Sequence, residues 1–262
     1  MTCRDVEPSM VPYAAGRPIP RAAAAHIAGC ERCRNLAALL SRADSSTAPG
    51  PEQLQYIKSE IVADIQPVKP LAPPAVLFAL LLAASIAAAG VGVSQLGIAG
   101  WRARDAIQRI AAFTILSLGS VLFASSLVRE IAPGSRVFVP ASRSIAGVLA
   151  IFTGIFAALF QVHPERAFVA TGLVCLRIGL ECAFAVAAIS WLILRRGAAL
   201  NRTAAGALAG ALAGISGLAL LETFCPNLNR YHVLVWHLGA AVGSTIAGIL
   251  AGIVAQRIDT QR

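Results

Sequence analysis

The chain has 262 residues, of which 57% are hydrophobic and only 13% charged, with a formal net charge of +9. Soluble domains carry about 25% charged residues, so water cannot be the main surroundings of this fold. The charge is also unevenly placed: residues 1–70 are close to neutral, and the excess arginines stand between apolar runs in residues 71–262. That pattern reads as membrane-flanking anchors and excludes direct nucleic-acid binding, since no basic cluster falls on a polar segment.

The chain opens MTCRDVEPSM, which lacks an apolar core, so no cleavable signal peptide is expected. Cys3 stands alone in this stretch. A first helix follows, which Pro8 and Pro12 are expected to interrupt or bend. A second helix over Ala22–Ala28 ends at Gly29 and leads into His26-Ile-Ala-Gly-Cys30-Glu-Arg-Cys33. Two thiolates two residues apart can clasp one tetrahedral ion, and a histidine one turn earlier can present its imidazole to the same point. With Cys3 the set is complete, which predicts a structural zinc site with no open position for catalysis. About forty residues bury too little apolar surface to fold alone, and a metal commonly supplies what is missing. The competing reading is three small buried cysteines beside a surface histidine. A third helix is expected from Arg32 to Arg42, with Leu36, Leu39 and Leu40 turned inward.

This arrangement resembles the zinc-binding anti-sigma domain of bacteria. The residues that carry the likeness are Cys3, the helix end at Tyr13 and Gly16, and His26, Cys30 and Cys33. It covers residues 1–45. The resemblance implies a cytoplasmic head that holds a sigma factor.

Residues 46–70 read as a linker containing one amphipathic helix, which Pro51 opens. Leu54, Ile57, Ile61 and Ile65 fall at i, i+3, i+7 and i+11 and form a single apolar stripe. Such a stripe packs on the head, on the membrane surface, or in a groove of another protein. The resemblance implies the last, with a sigma factor as the partner.

Six apolar runs follow at about 75–97, 110–128, 145–163, 170–194, 203–221 and 233–254, each near the roughly 20 residues a bilayer core requires. None alternates with a period of two, so helices are expected and a barrel is not. The fold class is therefore all-α: a small zinc-stabilised helical head, a six-helix transmembrane bundle over 71–256, and a short tail over 257–262. Six spans put both termini on one side. With the head inside, the inner links hold Arg129, Arg136, Arg143, Arg195, Arg196, Arg202, Arg257 and Arg262, against Arg102, Arg104, Arg109, Arg166, Arg177 and Arg230 outside. The excess favours a cytoplasmic N-terminus in a bacterial inner membrane.

Within the bundle, Cys175-Leu-Arg, Leu194-Arg-Arg-Gly-Ala, a glycine-rich fifth span, Phe224-Cys-Pro and Val235-Trp-His look like the membrane domain of the NrsF-type negative regulators of sigma factors. The likeness covers residues 100–256 and implies six spans and anti-sigma activity. The proline which that family tends to carry after its fourth-span cysteine is replaced here by Ala-Val-Ala. With the head inside, Cys175 and Cys225 both face an oxidising compartment, where a disulfide between them could carry a signal. Two small, unlinked apolar-surface cysteines are the alternative. Arg177 and Glu181, one turn apart, are expected to pair inside the bundle. His232 and His237, with Tyr231 and Trp236, are expected at the membrane interface as an aromatic belt, a metal or proton site there being the alternative. Gly206, Gly210 and Gly214, and Gly239, Gly243, Gly248 and Gly252, form small-residue ridges that pack spans five and six together or make a homodimer.

No nucleophile–base pair or phosphate loop emerges, so no enzymatic role is expected. A small transporter or channel with a regulatory zinc head, and a thiol or zinc redox sensor, are the other functional classes the sequence leaves open.

Overall fold

Every regular element among the described residues of the computed structural model is a helix. The structure describes residues 2–45, 51–64, 71–132, 134–135, 139–165, 167–195, 197, 199 and 201–260. Two units separate by their internal contacts, Met1–Lys69 and Pro70–Arg262.

The first unit contains α1 (Cys3–Ala14), α2 (Arg21–Gly29), α3 (Glu31–Ser45) and α4 (Pro51–Asp64). Its core is small: Val6 and Met10 of α1 meet Ala23 and Ile27 of α2 and Cys33 and Ala37 of α3, with Leu40 packed at the edge. Each pair stands one helical turn apart, so each helix contributes a narrow stripe. The inward face of α3 thus runs through Cys33, Ala37 and Leu40. Leu36 and Leu39, expected inside, are 44% and 61% exposed. The reason is angular: once Cys33 points to the core, positions 36 and 39 fall to the side of that stripe.

Helix α1 is also continuous where an interruption was expected. Pro8 and Pro12 lie one turn apart inside it, and the carbonyls they strand belong to exposed Arg4 and Pro8, open to water. Its end is a glycine stop, with Gly16 at φ 68° and Arg17 N–H donating to Pro12 O at 2.8 Å. In α4, Leu54, Ile57 and Ile61 are all exposed, so the predicted stripe is uncovered; Ile65 lies outside the described residues.

The second unit contains α5 (Pro74–Leu96), the short α6 (Ala99–Ala103), α7 (Ala106–Ile131), α8 (Ala141–Leu159), α9 (Phe168–Leu194), α10 (Arg202–Phe224), α11 (Arg230–His232) and α12 (Leu238–Thr260). A single π-helical turn, Val233–His237, joins α11 to α12. Six helices among the described residues are long and apolar enough to cross a membrane. Prolines at the starts of α5 and α8 and the Asp105 cap of α7, which accepts from Gln108 N–H at 2.8 Å, set where these helices begin.

Helix α10 is the axis of this unit. It is buried nearly throughout and packs against α5, α6, α7, α8, α9 and α12. Its alanines and glycines allow that closeness. A methyl group at Gly210 would stand 2.3 Å from Ser244 O of α12, and one at Gly248 would meet Gly206 O at 2.2 Å. Gly206, Gly210 and Gly214 thus pack α10 on α12 within one chain, the first two of them at Gly248 and Gly252, whereas Gly239 and Gly243 face Leu176 and Leu180 of α9. Around them the core is filled by Leu77, Leu81, Phe123, Leu208, Leu212 and a stack of Phe152, Phe156 and Phe160. The outer faces keep large apolar side chains exposed, Ile86, Ile107 and Phe184 among them, as lipid contact requires.

Candidate functional site

Two groups of cysteine and histidine side chains converge, one in each unit. In the head these are Cys3, His26, Cys30 and Cys33, whose ligand atoms all lie within 4.8 Å of one another. Helix geometry assembles them. Cys3 opens α1, where Asp5 accepts from Thr2 N–H at 2.7 Å and from its hydroxyl at 2.9 Å, an interaction that holds the Asp5 carboxyl below its ordinary range. His26 closes α2, Cys30 is the cap between α2 and α3, and Cys33 lies in the first turn of α3.

The arrangement fits a tetrahedral ion. Two sulfurs bound to one zinc at tetrahedral angles stand about 3.8 Å apart, and Cys3 Sγ and Cys30 Sγ are separated by 3.8 Å. His26 Nε2 is buried with no hydrogen-bond partner, as a lone pair meant for a cation would be. The Cys33 N–H and then the Cys3 thiol lower the Cys30 pKa, while burial and the neighbouring thiols push Cys33 up to about 11. A cation between them would remove that opposition by stabilising both thiolates.

The second group is Cys175, Cys225, His232 and His237, all buried, again with ligand atoms within 4.8 Å of one another. The sulfurs of Cys175 and Cys225 are 3.5 Å apart and both are free thiols. His232 Nε2 is 3.7 Å from Cys225 Sγ, and His237 Nε2 is buried without a hydrogen-bond partner. The histidines are thus not an interfacial belt: both are fully buried, and only Tyr231 of the expected group is exposed. The π-turn is the cause. In a regular α-helix, positions 232 and 237 point about 140° apart. The wider turn brings both rings to one side, with centroids 5.3 Å apart.

A carboxylate backs each imidazole. Glu222 Oε1 lies 2.7 Å from His237 Nδ1, and Glu165 Oε1 lies 3.3 Å from His232 Nδ1. Hydrogen bonding at Nδ1 leaves Nε2 as the free nitrogen of each ring, the arrangement that orients metal-binding histidines. Glu222 is completed by Arg104, whose guanidinium reaches Glu222 Oε2 at 2.5 Å, the Glu222 carbonyl, and Gly100 O at 2.8 Å. Glu165 accepts from Thr171 Oγ1 at 2.7 Å and from Asn227 Nδ2 at 2.8 Å. Asn229 Nδ2 donates to His163 O at 2.6 Å, lacing the α8–α9 link to the segment after α10.

Short helix α6 closes this site from one side. Gly100 lies so near the chain that a methyl group there would stand 2.4 Å from Cys225 O. Sequence reasoning reached the two cysteines and the two histidines separately. It missed Arg104, Glu165, Glu222, Asn227 and Asn229. A signal for Glu222 did exist: an acid within an apolar span rarely stands there without a polar task.

Arg177 and Glu181 do pair, at 2.8 Å, but on the outside of the unit, with side chains 80% and 61% exposed. Cys182, by contrast, is buried on α9.

No curated protein and no solved structure matches the chain. One family model does, described as NrsF, negative regulator of sigma F, and it matches residues 61–257. That stretch takes in the helices of the second unit up to residue 257, within the last turn of α12, and the whole of the Cys175–Cys225–His232–His237 cluster, while the head cluster lies before it. A match over well over half of the chain places this protein in the NrsF family of negative regulators of sigma F.

Proposed function

We propose that this chain is a membrane-tethered anti-sigma factor of the bacterial inner membrane, with its N-terminus in the cytoplasm. Residues 1–45 form a zinc head and residues 46–70 a linker with the amphipathic helix α4. Together they hold a sigma factor of the extracytoplasmic-function type by covering its polymerase-binding surfaces. The bundle over residues 71–256 releases it on an envelope signal, and no covalent chemistry by this chain is involved in the hold. Membership of the NrsF family carries the reading. The four-ligand cluster at Cys3, His26, Cys30 and Cys33, and the uncovered stripe of Leu54, Ile57 and Ile61, support the finer assignment. Ile65 extends that stripe in the sequence.

The test is co-purification of the full-length chain from membranes with co-expressed sigma factors, with zinc measured in the same fractions. A stoichiometric sigma factor is expected, with about one zinc per chain more than in Cys30→Ser and Cys33→Ser, which lose the sigma factor as well. Retained sigma binding in zinc-free variants would refute the zinc-dependent mechanism, and no sigma partner at all would refute the function.

A second observation favours one place for the signal to enter. Cys175, Cys225, His232 and His237 form a buried soft-ligand set with two free thiols 3.5 Å apart. Such a set answers either to a thiophilic cation or to a two-electron oxidant that takes two electrons and two protons from the thiols as the disulfide forms. Cys175→Ser is then expected to hold the sigma factor normally but to release it no longer. Unaltered release in that variant would separate this site from signalling.

A further inference from the structure

Helices α9 and α12 both pack on α10, yet they part from each other halfway along the bundle. A methyl group built at Gly239 or Gly243 of α12 would stand 3.9 Å from Leu176 or Leu180 of α9, an ordinary contact. Beyond Gly243, Ala247, Ala251 and Ala255 of α12 share an open groove with Ala187, Trp191 and Leu194 of α9. Ala205 and Ala209 of α10 form its floor. The groove holds about 560 Å³, inside the range of about 300–1,000 Å³ typical of small-molecule sites. It runs from Gly243, at the middle of the sixth span, to Ala255, twelve residues on. At 1.5 Å per residue that is about 18 Å, close to the ~15 Å depth of hydrocarbon in one leaflet.

Length, outline and charge together select the occupant. A second spanning helix needs about 20 residues and would continue past mid-bilayer, where Leu176 and Leu180 close against Gly239 and Gly243. A lipid tail ends at mid-bilayer, as the groove does. The opposite, open end is cationic. Arg202, in the first turn of α10, lines it, and its backbone is held there by Gly252 of α12, where a methyl group would stand 2.4 Å from Arg202 O. Arg195 caps the end of α9, and the sequence from Leu192 to Leu208 contains Arg195, Arg196 and Arg202 with no acid. Basic pockets between spans hold anionic lipid headgroups. Trp191, one turn before Arg195 and 42% exposed, sets an indole at headgroup depth beside the same opening. We propose that the α9–α12 groove binds one anionic phospholipid from the leaflet at which α9 ends, with an acyl chain along Ala247, Ala251 and Ala255 and the phosphate at Arg195 and Arg202.

Tryptophan quenching tests this on the full-length chain without relying on the sigma-factor assignment. The protein is reconstituted in phosphatidylcholine vesicles that contain a small fraction of chain-brominated phosphatidylglycerol or, separately, of chain-brominated phosphatidylcholine. The Trp191 signal is the difference between wild type and Trp191→Phe, which keeps Trp101 and Trp236. Brominated phosphatidylglycerol is expected to quench that signal at a mole fraction at least tenfold lower than brominated phosphatidylcholine. Arg195→Gln/Arg202→Gln should cut this preference at least fivefold and leave quenching by brominated phosphatidylcholine unchanged. Ala251→Phe fills the groove from an exposed position and should abolish the preference, which keeps the test decisive if the arginine variant fails to accumulate. Equal quenching of wild type by the two lipids would mean ordinary lipid contact and overturn the proposal. A preference that survives Ala251→Phe would overturn it too. Brominated oleic acid that quenches at as low a mole fraction as brominated phosphatidylglycerol would assign the groove to a single-chain acid and overturn it as well.

Discussion

Glu222 Oε1 lies 2.7 Å from His237 Nδ1 while its other oxygen lies 2.5 Å from the Arg104 guanidinium, all three side chains fully buried. One carboxylate therefore does two jobs. It neutralises Arg104, the buried cation that follows α6, and it fixes which nitrogen of the His237 ring looks toward the thiols.

Removing that carboxylate should be costly. Glu222→Ala leaves Arg104 as an uncompensated buried charge, and breaking one side of such a pair costs about 3–5 kcal/mol. Replacing both partners by apolar residues of similar size, Arg104→Met with Glu222→Leu, is expected to cost much less. Thermal unfolding of the detergent-solubilised chain would distinguish the two; equal losses would show that the pair itself adds net stability.

Gly100→Ala tests the closeness of α6 to the Cys225 backbone. The added methyl would stand 2.4 Å from Cys225 O, against a main chain that has no flexible end to give. Overpacking of this kind costs about 1–3 kcal/mol. Because the strain falls on Cys225, its reaction with a small thiol reagent should accelerate several-fold. An unchanged rate would mean that α6 does not confine the thiol.

The head should bind zinc with a definite dependence on pH. With Cys33 pushed up to about 11, its thiol keeps its proton throughout the range from pH 6 to 8 until an ion displaces it. At least one proton is then released per zinc bound, so affinity falls by at least about tenfold for each unit of falling pH. Competition against a chromophoric chelator at several pH values measures the slope. A flat profile would show that Cys33 is not a ligand.

Ile57→Asp and Ile61→Asp separate stability from recognition. Both side chains are exposed, so the folded head should lose no more than about 0.5 kcal/mol. If α4 carries the sigma-factor contact, each variant should weaken binding at least tenfold, or about 1.4 kcal/mol. Binding unchanged in both would move the contact off this helix.

The six spans were legible because apolar runs of that length admit few other structures in a bilayer. The convergence of His26, Cys30 and Cys33 was legible because their close spacing is a local property, and Cys3 was the nearby thiol that joined them. The inward face of α3 was misread at Leu36 and Leu39 because three helices in so small a core each bury only one narrow stripe, which Cys33 claims. The second cluster was legible only in parts. Its thiols come from α9 and the end of α10, its second imidazole is turned by one π-helical turn, and its supporting acids come from α10 and the α8–α9 link. No local pattern records such a meeting. Arg177 and Glu181 were paired correctly from their spacing, but which side of α9 they occupy depends on Cys175, Cys182 and Gly179 claiming the other.

The π-turn at Val233–His237 also sets a count along the last span. The span presents His232, just before it, and His237, its last residue, to the thiols; downstream it presents Ser244 and Gly248 to α10. Those two faces share one rod only because the turn takes in an extra residue and shifts the phase between them. Forced into an unbroken α-helix with every residue kept, the span would face a choice: His232 in place with the glycine seam rotated by about 100°, or the seam in place with His232 turned away. The span behaves as a two-ended key whose teeth are cut in different registers, and the shift of one residue lets both ends fit at once.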